Sequence, residues 1–403
     1  MSSIATAPDS RSRLPSLTGL RFLAALSVFL FHSSLASSPI PPNGAVNPFA
    51  DQGVATAYGS VLGVAGFLGV SFFFVLSGFV LTWASRPGEP VRSFLRRRVV
   101  KIYPNHVVMW AISLLLFAWA TGGPSVWFPN LLLIHDYFPQ LNINLSVNSP
   151  SWSLCAEILF YLSFPFLIGA LRRIPVRRLW FWATAMVAGT FVVQLVNQFL
   201  IPAGTGSPVT SISSLQFWFG YLFPPTRMFE FVLGALLALL VKAGKWPRIG
   251  LVPAAVLLLA GYTAAMYVPA YYAFIAMTIV PIGMVIASAA NADLRGRHTP
   301  FGGRVMVWLG EVSFAFYLCQ GVTVFYVRRL FPGTFSTGVG ILVIIGLFAL
   351  SLLGGWLLHS RVEHPMMRRW SRAQRPVRPA TPAPAAAPAA GPRGDDEAPG
   401  QAA

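Results

Sequence analysis

Charge is what this 403-residue chain has least of: Asp, Glu, Lys and Arg together make up 10%, where a soluble domain carries about 25%. Hydrophobic residues make up 55%. No water-filled surroundings call for so much apolar sequence, and it falls in repeated runs near the roughly 20 residues that a spanning helix needs. A soluble globular protein and a wholly disordered chain are both excluded. Cysteine is scarce as well. Cys155 and Cys319 both lie inside apolar runs, which excludes a disulfide framework. No Cys/His cluster has metal-site spacing, so no metal is expected. Acidic residues number 12 against 29 basic ones, for a formal charge of +17. The basic residues fall in short clusters between apolar runs, so the expected partner is the lipid bilayer and not nucleic acid. Also missing is an A-x-A-like cleavage site close behind the first apolar run, which therefore reads as a retained helix.

What is present is about ten apolar runs, at roughly 18–36, 62–83, 104–121, 151–170, 180–201, 225–242, 249–266, 271–290, 308–327 and 336–357. The stretch 127–138 is apolar but too short to span; it lies at the interface or re-enters. With the N-terminus inside, the loops 37–61, 122–150, 202–224 and 267–270 fall outside and hold no Lys or Arg. The intervening loops carry the basic clusters, among them Arg96, Arg97, Arg98 and Lys101, then Arg172, Arg173, Arg177 and Arg178. Arg328 and Arg329 alone fall on the wrong side. This bias predicts an all-α, polytopic transmembrane helical bundle of about ten spans with both termini cytoplasmic. The organisation expected is a cytoplasmic N-terminal segment (1–16), a transmembrane domain (17–370) and a disordered Pro/Ala-rich cytoplasmic tail (371–403). The outer loop 37–61, rich in Gly, Ser and Pro, either caps a cavity or is a plain connection.

Ionisable residues inside spans are costly and mark function or a structural pair. The first run carries Arg21 and His32, eleven residues apart. That separation returns them to nearly the same helix face, about 16 Å apart along the axis. Arg21 is placed near the cytoplasmic mouth and His32 in the outer half. Histidine has the near-neutral basicity that a general base needs, though packing and snorkelling explain the spacing equally well. The fourth run opens around Trp152 and holds Glu157, expected at the same depth as His32, where a carboxylate orients an imidazole or pairs with a cation such as Arg227. Arg227 and Glu230 are three apart and can meet on one face. Gly69, Ser77 and Gly78 in the second run allow close helix approach. The basic run 96–101 obeys the topology rule, and it also offers the surface that a cytosolic phosphate-rich ligand needs.

Taken together, these residues resemble the acyltransferase 3 family of integral membrane acyltransferases, over about residues 16–365. The resemblance rests on Arg21 eleven positions before His32, on GVSFFFVLSGF (69–79), RVVKIYP (98–104) and SWSLCAEILFY (151–161), on Arg227, Glu230 and Gly234, and on LGEVSFAFYL (309–318) and VEHP (362–365). One departure stands out. Relatives commonly have a histidine where this chain has Gln320, and Gln cannot carry a proton at neutral pH.

The resemblance implies a multi-pass enzyme of the bacterial cytoplasmic membrane. It would move an acyl group, often acetyl, from acyl-CoA as co-substrate, with no tightly bound cofactor. The acceptor is a hydroxyl of a surface saccharide or glycolipid, or of a metabolite such as a macrolide. On this reading Arg21, Arg98 and Lys101 hold the phosphates of CoA and His32 is the base. Glu157 orients His32, Arg227 or Gln320 steadies the oxyanion, and Trp152 contacts substrate. A covalent acyl-histidine is a variant of the same scheme. The rival from another class is a transporter or flippase that moves a glycolipid or metabolite without chemistry.

Overall fold

In a computed structural model of the chain, residues 14–40 and 44–370 are described. The expected tail from residue 371 and the first 13 residues lie outside them. The architecture is all-α. The helices used below are α1 (Pro15–Ser34), α2 (Gln52–Leu62), α3 (Ala65–Ala84), α4 (Val91–Leu116), α5 (Pro124–Leu131), α6 (Trp152–Arg173), α7 (Leu179–Leu200), α8 (Met228–Lys242), α9 (Leu251–Ala265), α10 (Ile279–Leu294), α11 (Arg304–Phe325), α12 (Thr337–Leu358) and α13 (His364–Trp370).

Each of the ten apolar runs contains a helix, although 271–290 is interrupted by a turn at 274–278. Eight of the helical stretches among the described residues are long and apolar enough to cross a membrane, which makes the chain a polytopic membrane bundle. The other two, α9 and α10, have 15 and 16 residues. α10 starts later than its run because a one-turn helix at Ala270–Ala273 is followed by a turn over 274–278. α4 starts earlier than its run: it continues through Pro104, so residues 92–101 form its first turns and not a loop.

Glycine pairs set the helix spacing. A Cβ on Gly78 would lie 1.8 Å from the Phe231 carbonyl oxygen, and one on Gly234 would lie 1.8 Å from that of Val75. α3 and α8 thus cross backbone to backbone, each glycine seated on the other's chain. The small residues of the 69–79 motif therefore serve packing, as does Gly310, whose Cβ would meet the Thr18 carbonyl.

The described parts of the loop 37–61 are held by specific hydrogen bonds. Asp51 caps α2 by accepting from the Val54 N–H at 3.0 Å. The two arginines on the wrong side of the charge pattern have structural work there. Buried Arg328 donates to the carbonyls of Val46 (3.1 Å), Gly333 (2.6 Å) and Phe331. Arg329 donates to the Ile40 carbonyl at 2.8 Å. Backbone carbonyls without secondary-structure partners take up these donors, which tie Ile40 and Val46 to 328–333. The 127–138 stretch forms α5 and a turn and does not span. Leu133 takes φ 56° in it.

Candidate active site

Three cavities follow one another along the bundle. The inner one is lined by Arg21 of α1, Arg98 and Lys101 of α4, Glu157 and Tyr161 of α6, and Phe314 of α11, and has a cavity volume of about 100 Å³. The middle one shares Arg21, Phe73, Glu157 and Phe314 with it and adds Val70, Ser153 and Tyr317. The outer one shares Val70 and is lined by His32, Trp152, Tyr221 and Phe325, beneath Leu35, Pro39, Leu145 and Val209. The 37–61 segment therefore does contribute to a cavity roof.

The cations of the inner cavity differ in how they are held. The Lys101 ammonium is bonded to Glu363, a carboxylate 2% exposed. Asn105 donates to the other oxygen of that carboxylate at 2.8 Å, and His359 lies 3.4 Å from it. The VEHP motif thus supplies the counter-charge of Lys101 from a π-helical turn at His359–Glu363. Nothing in the chain order linked these residues; the only sequence signal was an isolated acid in a basic stretch. Arg98 lies over the rings of Phe94 and Tyr161, 5.5 Å and 5.9 Å from their centroids, and its Nε has no hydrogen-bond partner. Tyr161 donates to Glu157 at 3.1 Å, and the Glu157 carboxylate faces the charges of Arg21, Lys101 and Arg98.

His32 lies near the C-terminal end of α1, 7% exposed, with Nδ1 unpartnered by protein. Phe325 meets its ring edge-on at 5.1 Å. Its polar neighbour is Gln320, fully buried, whose amide oxygen and nitrogen close no hydrogen bond of ordinary geometry. The expected approach of Glu157 to His32 is not what the fold provides, because the two line different cavities. The reason is register. Trp152, not Glu157, stands at the level of His32, and Glu157 is five residues further along α6, about 7.5 Å deeper. The carboxylate consequently falls among the inner cations.

Arg227 also departs from its expected place in the site. It lines none of the three cavities. Its guanidinium donates to both oxygens of Glu230 (2.5 and 3.0 Å), to the Tyr221 carbonyl (2.8 Å) and to Ser71 (3.2 Å). Tyr221, Phe74 and Trp152 surround it with ring centroids 4.5, 4.9 and 6.0 Å away. It stands behind the cavity wall, where it holds Tyr221 and Trp152 in place.

A cluster that sequence spacing did not foresee lies beside this wall. His135, Asp136 and Cys155 are all buried, with one candidate ligand atom of each within 4.8 Å of the others. Cys155 Sγ is 3.3 Å from His135 Nδ1. Outside the spans, burial pushes the Asp136 carboxyl well up from its usual range. Burial, with His106 nearby, pushes the His135 imidazole down to about 3.

Half-buried cations at one end of a file of cavities and a buried imidazole at the other define a polytopic membrane protein equipped for chemistry inside the bundle. The family described as an acyltransferase domain matches residues 14–360. The acyltransferase MdmB of Streptomyces mycarofaciens is 40% identical over 383 residues, covering 92% of this chain and 95% of that protein. No solved structure matches. The chain belongs to the acyltransferase 3 family and is a multi-pass bacterial membrane acyltransferase.

Proposed function

We propose that the protein transfers an acyl group, acetyl in the simplest case, from acyl-CoA admitted at the cytoplasmic side to a hydroxyl held in the outer cavity. The observation that carries this reading is the run of three cavities from Arg21, Arg98 and Lys101 to His32. Arg98 and Arg21 bind the phosphates of CoA by charge-assisted hydrogen bonds. Lys101 contributes its charge while Glu363 fixes its position. The acyl thioester reaches past Val70 into the outer cavity. His32 takes the proton of the acceptor hydroxyl as the oxygen attacks the thioester carbonyl. The carbon–sulfur bond then breaks, and the CoA sulfur leaves with the proton returned by the imidazolium. Gln320, the polar neighbour of His32, donates to the developing oxyanion in this reading. Glu157 acts one step removed, holding the inner cations in register.

In this reading all ten apolar helices span and both chain ends are cytoplasmic, in keeping with the basic clusters of the inner loops. The aromatic and aliphatic lining of the outer cavity suits an acceptor whose hydroxyl sits on a largely apolar body. A metabolite such as a macrolide, or the lipid-proximal sugar of a surface glycolipid, fits that description. The test is labelled acyl-CoA with candidate acceptors and the protein purified in detergent. Ester formation that His32→Ala abolishes, with the variant still folded and membrane-inserted, is the expected result. Full transfer by that variant removes His32 from the mechanism. Movement of acceptor across vesicles without ester formation replaces the enzyme reading by a transporter.

A further inference from the structure

We infer that His135, Asp136 and Cys155 form a zinc-binding site that pins the outer segment 124–151 to the start of α6. The inference does not depend on the acyl-transfer scheme above. Three side chains of different type, an imidazole, a carboxylate and a thiol, converge with their ligand atoms within 4.8 Å of one another. His135 and Asp136 are 0% exposed and Cys155 is 1% exposed. These are the ligand types that a borderline-soft, tetrahedral cation takes, and the thiolate and imidazole argue against magnesium or calcium, which prefer oxygen.

The carboxylate makes the stronger argument. Both oxygens of Asp136 are buried and neither has a hydrogen-bond partner in the protein. A buried carboxyl group is ordinarily hydrogen-bonded, paired or bound to a metal, whichever its charge. No side-chain cation within salt-bridge reach pairs with Asp136 among the described residues. The groups facing it come from three elements: His135 from its own turn, Cys155 from α6, and Trp218, whose indole N–H donates to the Asp136 backbone carbonyl at 2.8 Å and leaves the carboxylate free. His106 of α4 lies close enough to His135 to act on it electrostatically. Its Nε2 is 3.0 Å from the Asn130 carbonyl oxygen, and its Nδ1 has no partner.

The position gives the site a purpose. Cys155 is three residues beyond Trp152, the ring that shares the outer cavity with His32. An ion held between the 135–136 turn and Cys155 fixes the level at which α6 enters the bundle, and with it the Trp152 wall.

The experiment uses the untagged full-length protein in lipid nanodiscs, stripped with chelator and then equilibrated with Zn²⁺ or Co²⁺. Elemental analysis is expected to find one zinc per chain, and cobalt to give a thiolate charge-transfer band in the near ultraviolet. Asp136→Asn and Cys155→Ser match the native side chains in shape, and each should weaken zinc binding by at least about tenfold while keeping wild-type helicity. Cys155→Ser should also abolish the cobalt band. A wild-type protein that takes up no zinc overturns the inference, as does equal zinc binding by both variants. If the variants do not fold, the cobalt spectrum of the wild type decides: a band without thiolate character refutes the site.

Discussion

Replacing Arg227 tests whether this residue is part of the chemistry or of the wall behind it. The guanidinium makes four hydrogen bonds, two of them to Glu230, and both side chains are fully buried. Arg227→Met removes the charge at similar length and leaves Glu230 as an uncompensated buried carboxylate. Breaking one side of a buried pair costs about 3–5 kcal/mol. Loss of the ring contacts to Tyr221 and Phe74 adds about 0.5–2 kcal/mol. Arg227→Lys keeps the charge but lacks the planar fork that serves Glu230, Tyr221 and Ser71 at once, so it should recover only part of that loss. Arg227→Met combined with Glu230→Leu removes both charges and should be more stable than Arg227→Met alone, since no charge is then stranded. The assay is unfolding in a graded SDS titration from mixed micelles, followed by helicity, on all four proteins, with acyl transfer measured alongside. If Arg227→Met unfolds at the wild-type midpoint while losing acyl transfer, the residue touches the reacting atoms and the structural account fails.

Arg98→Ala should raise the KM for acyl-CoA more than that for the acceptor, by about 2 kcal/mol of lost charge-assisted binding; steady-state kinetics with each substrate varied in turn checks it. Glu363→Gln leaves Lys101 without its counter-charge and loosens α13 from α4. Faster hydrogen exchange over α13 is expected, at a stability cost of about 1–3 kcal/mol by the same titration. Gly234→Leu drives a side chain into the Val75 carbonyl, and overpacking at that crossing should cost about 3 kcal/mol and lower the folded yield. Arg328→Met should free the 44–50 segment, seen as accelerated exchange confined to it, at about 2–4 kcal/mol.

The spans were legible because a bilayer forces every backbone polar group into a local hydrogen bond. An apolar run of spanning length therefore has to be largely helical; all ten runs carry a helix, and eight helical stretches among the described residues are long enough to span. Arg21 and His32 stood out for a related reason, since a polar group in such a run is costly; Arg98 and Lys101 were marked only by the basic cluster at 96–101. The errors were errors of register and partnership. Glu157 and His32 were placed at one depth by counting from helix ends, but the buried turn at Ser149–Ser151 carries α6 into the bundle so that Trp152 takes that level. Arg227 meets Glu230 as their spacing allowed, but the further bonds of its fork to Tyr221 and Ser71 had no signal in the sequence. His135 and Asp136 lie some twenty positions from Cys155 in a segment of mixed character, with no ligand spacing to mark them.

Taken alone, the order of residues decided how many apolar helices form, which motifs they carry and which family the chain resembles, because helix formation and membrane partition act over one turn or one span at a time. Tertiary packing alone decided which polar groups meet. The glycine crossing of α3 and α8, the entry turn of α6 and the Glu363 latch fix the relative heights of helices far apart in sequence. A height difference of about one and a half turns moves a side chain from one cavity to the next, and no local property of the chain encodes it.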